Sequence, residues 1–438
     1  MNRSELLRLA VGQIGTALGY MILTMNLQSF FQYTAFAGHA WDYTLSFSIM
    51  TIAFGAGALT YLFAGYISDK TLTRWGRRRP YLLMAIPGAI ALTLLGINYS
   101  VLPLIGSFIL LSCLGVIFTV TYRLMYTNYW ALFMDLTKPE DRVKSTITFN
   151  FFGLIGTGIA ITIPISSGIG DPINNSYFFI TILGGLVFLV FVLLVFFFGP
   201  REDLEAIRMQ HEQGLHPPSI LSSITGTLKN KEFKNYAISA FFASFVYSMA
   251  MFILKPFIEW KTEQRIPSVA ISFYLILASV LPIALIGFYF CNWASKRWGK
   301  RTVYQRALLF GIIAYPLSSL LAAQGGTISM IIQLIFLMTI ILFVVVVILS
   351  YQNAILMDIT PKGQEATYTG VLFFIAVLPI PIASAIAGPI LDIFNFDVLG
   401  FWIGNDFGYV LIVLIMAISL VISYIFLRRL KYEEVLEA

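Results

Sequence analysis

Asp69 and four arginines crowd into one short stretch between two apolar runs. Within residues 65–81, Asp69 is followed by Arg74, Gly76 and the run Arg77, Arg78, Arg79. A carboxylate beside several guanidiniums makes charge-assisted hydrogen bonds, roughly twice as strong as neutral ones. Such a network can latch two parts of a protein and release them when one part moves; the simpler use of the same cations is to fix orientation. A second chemistry-bearing residue is Arg123, the one charge placed well inside an apolar run, 12 residues before Asp135. On a helix that is about 18 Å at 1.5 Å per residue. An arginine at the bilayer centre costs about 2.5–3.5 kcal/mol on insertion scales, so it faces a cavity or a partner. Thr119, Tyr126 and Thr127 fall near the same face at helical spacing. Hydroxyls, rings and one guanidinium suit a ligand with many hydroxyls or with a carboxylate. The structural alternative is an arginine that bonds a carbonyl or a Gln on a neighbouring helix.

The elements that position these residues follow from composition. The chain has 438 residues, 58% hydrophobic and 11% charged, against about 25% charged in soluble domains. Only a bilayer solvates so much apolar surface. Twelve runs are long enough to cross it: 9–31, 44–68, 80–98, 103–131, 146–167, 177–199, 235–257, 270–292, 302–323, 328–354, 366–392 and 406–427. The first is too long for a signal-peptide core. The fold class expected is an all-α membrane protein of twelve transmembrane helices in two six-helix pseudo-repeats. The N-terminal bundle is 1–199, a cytoplasmic linker 200–234, and the C-terminal bundle 235–438.

An internal repeat supports that division. Arg74-Trp75-Gly76 returns as Arg297-Trp298-Gly299, and Met134-Asp135-Leu136-Thr137 returns as Met357-Asp358-Ile359-Thr360, both 223 residues on. The position matching Asp69 is Asn292, so the second copy keeps the shape and loses that charge.

Charge sets orientation. With the N-terminus inside, 24 of the 28 lysines and arginines fall on the inner side; Lys255, Lys261 and Arg265 fall outside, and Arg123 lies within a span. Both termini are therefore expected in the cytoplasm, and the net charge of +6 is spread over inner loops rather than gathered for nucleic acid. Cys113 and Cys291 in apolar runs, and the scattered His39, His211 and His216, form no metal or disulfide pattern. No cofactor is expected.

The stretch Gly65 to Lys70 with Arg74 to Pro80 resembles the loop between helices 2 and 3 of the major facilitator superfamily. With Trp130-Ala131-Leu132 and Asp135-Leu136-Thr137 followed by Arg142, and with Leu356 to Pro361, it is similar to the branch holding the sucrose transporters and the glycoside–pentoside–hexuronide:cation symporters. The resemblance implies two bundles, a central cavity lined by helices 1, 4, 7 and 10, and alternating access. It implies latch roles for Asp69, Arg74, Gly76, Arg77 and Arg78, and for Asp135, Arg142 and Asp358.

The chain departs from that branch at the coupling site. Where melibiose-type members carry two helix-2 aspartates for sodium, this chain has Gly57 and Tyr61; the helix-4 acid would fall near Tyr126 or Thr119. A sodium site of that kind is not expected, and every acid falls in a loop or near a helix end. Among amides at membrane depth, Gln28 and Asn26 on the first segment border the expected cavity; Gln13, Asn150 and Gln333 read equally as interhelical bonds. Lys255 is expected to pair with Glu259. Pro379 and Pro381 invite a break in the eleventh segment.

The function expected is secondary transport of a small solute, a sugar or glycoside, by alternating access and coupled to a proton. The substrate contacts are Arg123, Tyr126, Thr119, Gln28 and Asn26. Two alternatives stand beside it: transport of an organic anion such as a uronate, and a non-transporting receptor or scaffold of the same fold.

Overall fold

The computed structural model describes Arg3 to Lys431, apart from 28–29, 32–34, 37–38, 40, 72, 98, 100–101, 138–141, 167–175, 201, 203–219, 264–281, 322–338, 361–364, 396–405 and scattered positions between 283 and 357. The described residues are almost all helical. In chain order the helices are α1 (Arg3–Ala10), α2 (Gly12–Met21), α3 (Asp42–Lys70), α4 (Ala85–Leu95), α5 (Leu104–Leu136), α6 (Arg142–Ser166), α7 (Ser176–Phe198), α8 (Ile220–Lys229), α9 (Lys231–Glu263), α10 (Lys300–Leu321), α11 (Glu365–Val377), α12 (Pro379–Asn395) and α13 (Asp406–Arg428). Six spans among the described residues are long and apolar enough to cross a membrane: Ser4–Thr24, Asp42–Ala64, Leu104–Phe133, Phe178–Phe198, Gly370–Ile393 and Gly408–Arg428.

Several expected segments are interrupted, each for a local reason. The first is divided into α1, α2 and a π-helical stretch, Ile22–Leu27. There Thr24 Oγ1 donates to the carbonyls of Tyr20 and Met21 at 3.1 and 3.3 Å, competing with the regular ladder. The third opens as a 3₁₀ turn, Arg79–Met84, with Pro80 in its first turn, before continuing as α4. The eleventh is broken at Leu378. Leu378 N still donates to Phe374 O, but Pro379 has no N–H, and its fixed φ starts α12 instead.

Chain contacts divide the molecule into two units: Met1–His39 with Ile49–Ser222, and Ala40–Ser48 with Ser223–Ala438. In unit 1, α2 packs on α6 and α7, and α4 packs on α5 and α7. Gly156 on α6 lies against the backbone of Ile14, so any side chain there would force the two helices apart. In unit 2, α9 packs on α12 and α13, and α10 on α13. Large apolar side chains left outward line the helices: Ile52, Leu59, Phe63 and Ile67 on α3, for example. In water that surface would aggregate; in hydrocarbon it is solvated.

In unit 2, Asp392 near the end of α12 is only 1% exposed. Its two oxygens accept the N–H groups of Tyr43 and Thr44 at 3.2 and 2.6 Å, satisfying orphan donors of the first turn of α3.

Candidate functional site

Arg123 lies within α5, deep in unit 1 and 5% exposed. Its Nη1 donates to the Tyr61 hydroxyl at 2.7 Å. The guanidinium carbon sits 4.9 Å from the ring centroid of Tyr61, 5.2 Å from that of Tyr20 and 5.5 Å from that of Tyr122. Three ring faces thus surround one cation, each favourable by about 0.5–2 kcal/mol depending on desolvation. Nη2 is buried and has no hydrogen-bond partner among the described residues. No carboxylate pairs with Arg123 among them either.

The positioning is built from short distances. Gly57 on α3 leaves room for the stem of Arg123: a β-carbon there would lie 3.4 Å from Arg123 Cγ and 3.2 Å from Thr119 Cβ. Gly57 and Tyr61 are the two positions where the resemblance would place acids. One gives the arginine space and the other holds it, so a fixed cation fills the region in which a mobile one was not expected. Tyr122 stacks on Tyr126 at 5.3 Å and on Tyr20 at 5.7 Å, and Tyr126 meets Trp130 edge-on at 6.5 Å. With Phe118 stacked on Tyr122 at 5.7 Å, α5 presents an aromatic ladder at four-residue spacing.

The expected contact residues do not all have free groups. Thr119 is 2% exposed, and its hydroxyl donates to carbonyls, Ala53 O at 2.6 Å and Gly115 O at 2.9 Å. Thr127 Oγ1 donates to Arg123 O at 2.7 Å. Asn26 lies in the π-helical stretch, with its side chain outside the described residues, as is Gln28 entirely. The side chains of Lys255 and Glu259 are also outside them.

The loop after α3 forms a second cluster in the same unit. Arg77 Nη2 donates to Asp135 Oδ2 at 3.0 Å, and Arg78 Nε lies 3.5 Å from the same oxygen. Arg78 Nη1 bonds Ser68 Oγ, and Arg79 Nη2 bonds the carbonyl of Phe196. Glu202, assigned from sequence only to a polar linker, is the acid that reasoning missed. It is 8% exposed, accepts Arg78 N at 3.0 Å, and lies 3.7 Å from Arg77 Nε. Burial pushes its carboxyl above the usual glutamate range, against the Arg78 N–H and the two guanidiniums, which pull it down. Gly76 takes φ of 100°, in the left-handed region, and its Cα faces the Glu202 carboxylate with no room for a side chain. Arg74 lies over Trp75 at 4.8 Å. The side chains of Asp69 and Arg142 are outside the described residues.

Unit 2 repeats part of this at the 223-residue offset. Gly299 also has positive φ, 81°. Lys300, matching Arg77, pairs with Asp358, matching Asp135, at 3.6 Å. Arg301, matching Arg78, donates to Arg428 O at 3.0 Å. Val346 matches Arg123, so the buried guanidinium has no counterpart. Among the described residues, no group of His, Cys, Asp and Glu is arranged to hold a metal ion.

Comparison with known proteins bears on the family and the fold. The family model described as "MFS/sugar transport protein" matches residues 9–434. An isoprimeverose transporter of Lactiplantibacillus pentosus is 22% identical over 267 residues, 57% of this chain and 51% of that protein; the chain thus spans about half the length of the curated relative it matches. A mutant of the nucleoside transporter NupG superposes with a TM-score of 0.70 at 15% identity, covering 98% of this chain and 100% of that one. The xylose transporter XylE from E. coli, in a partially occluded inward-open conformation, gives 0.68 at 14% identity, covering 99% of each. At these identities the structural likeness carries the fold: twelve membrane helices in two six-helix pseudo-repeats.

Proposed function

The chain belongs to the MFS/sugar transport family, and on that premise we propose that it is a secondary transporter, not an enzyme, which carries a sugar or glycoside across the cytoplasmic membrane. The bundles 1–199 and 235–438, joined by the linker 200–234, rock to give alternating access, and both termini face the cytoplasm. Transport is coupled to protons. Arg123 contacts the substrate, with Tyr126 beside it and Gln28 and Asn26 as further contacts, while Thr119, its hydroxyl already given to the Ala53 and Gly115 carbonyls, offers it no donor. Asp69, Arg74, Gly76, Arg77, Arg78, Asp135, Arg142 and Asp358 serve the inner latch.

One observation carries the reading. Arg123 is buried, held at one nitrogen by Tyr61, and left with a second nitrogen unpartnered among the described residues. A buried donor without an acceptor costs about 1–3 kcal/mol, more when charged. A ligand oxygen supplies that acceptor, and the tyrosine and tryptophan faces suit the apolar faces of a sugar ring.

The absence of a described carboxylate partner favours one second reading, an organic anion such as a uronate, which would balance the guanidinium. Uptake into proteoliposomes separates the two. Labelled disaccharides, a monosaccharide and a uronate are offered with and without an inward proton gradient. Neutral-sugar uptake that rises with the gradient supports proton-coupled sugar transport. Uptake confined to the uronate makes Arg123 an anion site. No uptake by folded protein returns the chain to the receptor or scaffold alternative.

A further inference from the structure

The two copies of the loop motif spend their cations differently. In unit 1 the arginines after Gly76 turn inward, to Asp135, Glu202, Ser68 and the Phe196 carbonyl. In unit 2 the position matching Arg79 is Thr302, while Thr73 and Leu83 are matched by Lys296 and Arg306. The second copy has exchanged an interior cation for surface ones. Lys296, Arg297 and Arg306 are all exposed. None has a carboxylate partner among the described residues; the one acid paired on this loop, Asp358, is taken by Lys300.

These cations stand on an aromatic platform. Trp293 and Trp298 meet edge to face at 5.4 Å, with Phe290 5.9 Å from Trp293. The indoles are 44% and 37% exposed. Arg297 lies over Trp293 at 5.7 Å and Arg306 over Trp298 at 4.9 Å. Stacking on a ring fixes a guanidinium in place while leaving its N–H edge outward, toward an acceptor. Exposed tryptophans are unfavourable in water and favourable at the boundary between hydrocarbon and headgroups, where cations meet lipid phosphates.

We propose that Trp293, Trp298, Lys296, Arg297 and Arg306 form a binding surface for the headgroup of an anionic phospholipid. The phosphate supplies this loop with the anion that Glu202 supplies to its counterpart in unit 1, and the indoles seat the glycerol and upper acyl region. The surface takes from the proposed topology only that this end of unit 2 meets the cytoplasmic leaflet. It does not depend on which solute is carried or on Arg123.

The test is lipid retention by the full chain, extracted from vesicles of equal phosphatidylglycerol and phosphatidylcholine, with retained lipid quantified by mass spectrometry. The wild type is expected to keep phosphatidylglycerol in roughly tenfold preference, falling as salt is raised. The R297A/R306A variant and Lys296→Glu each abolish the preference at unchanged melting temperature. Equal retention of both lipids by the wild type, or a preference insensitive to salt, overturns the proposal even if a variant fails to fold. A variant that folds and keeps the preference does the same. Glu433 and Glu434 lie a few residues after α13 in the sequence. If E433Q/E434Q raises lipid retention severalfold, the chain's own tail is the occupant and the proposal fails; unchanged retention upholds it.

Discussion

Tyr61 and Arg123 are joined by a 2.7 Å hydrogen bond that ties the middle of α3 to the middle of α5 inside unit 1. The bond fixes one edge of the guanidinium and leaves the other with no partner among the described residues. It makes the arginine a rigid donor rather than a flexible charge.

Removing either member has a distinct expected result. Tyr61→Phe keeps the ring face and loses the acceptor, so Arg123 gains rotational freedom and a second unpaired nitrogen. Uptake is expected to fall roughly tenfold, the cost of about 1–3 kcal/mol for an unmade buried bond. Arg123→Lys keeps the charge but not the planar fork, and is expected to lose most of the activity. Initial-rate uptake with matched protein density checks both; wild-type rates in Arg123→Lys would mean that only charge matters there.

Glu202 gives the inner loop a pH dependence of definite sign. Its folded carboxyl lies above the usual range because of burial, so between the two values the folded state holds more proton than the unfolded state. Stability from this group is therefore full below the ordinary glutamate range and is lost as pH rises through the raised value. Glu202→Gln removes that slope and is expected to be as stable as the wild type or more so at neutral pH. Glu202→Ala leaves Arg78 N without its acceptor and is expected to lose about 1–3 kcal/mol. Melting temperatures across pH 4 to 8 (a window of about that width around glutamate titration) test the difference; a wild type that gains stability on rising through it would contradict the assignment.

Gly76 and Gly299 occupy matching turns in the two copies of the loop. Both have positive φ, which costs a residue with a β-carbon about 1–2 kcal/mol. Gly76 lies hard against an acid, Glu202, whose matching position at the 223-residue offset is Ile425. Gly76→Ala is thus expected to destabilise more than Gly299→Ala, and Glu202→Ala to recover part of the difference. Thermal unfolding of the three single variants and the G76A/E202A pair checks this coupling.

Much of the architecture was legible because hydrophobic runs and repeats are written directly in residue order. The 223-residue offset anticipated that Asp135 and Asp358 would stand in matching places, and the structure pairs each with the cation at the matching loop position. Pro379 announced the interruption of α11 and α12. Arg123 stood out because a lone charge in an apolar run has no innocent place to go. Its partners were not legible. Tyr61 read only as the lack of an acid, since a hydroxyl becomes a partner through the distance between α3 and α5, which sequence does not carry. Tyr20 and Tyr122 were not singled out as its partners, although the four-residue spacing from Phe118 to Trp130 was available as a signal. Glu202 was hidden among other linker charges; its importance comes from folding back onto Gly76, a contact 126 residues away along the chain.

The most direct test of the account is substrate counterflow in proteoliposomes, wild type against Arg123→Ala, with both proteins shown to have the same melting temperature. Counterflow needs substrate binding and alternating access but no imposed ion gradient, so it isolates the role of the arginine from the question of coupling. The account predicts robust exchange by the wild type and a loss of roughly a hundredfold in the variant, the scale of an interaction of about 3 kcal/mol. Wild-type counterflow from Arg123→Ala would show that the buried guanidinium serves architecture alone, and that the substrate contact lies elsewhere.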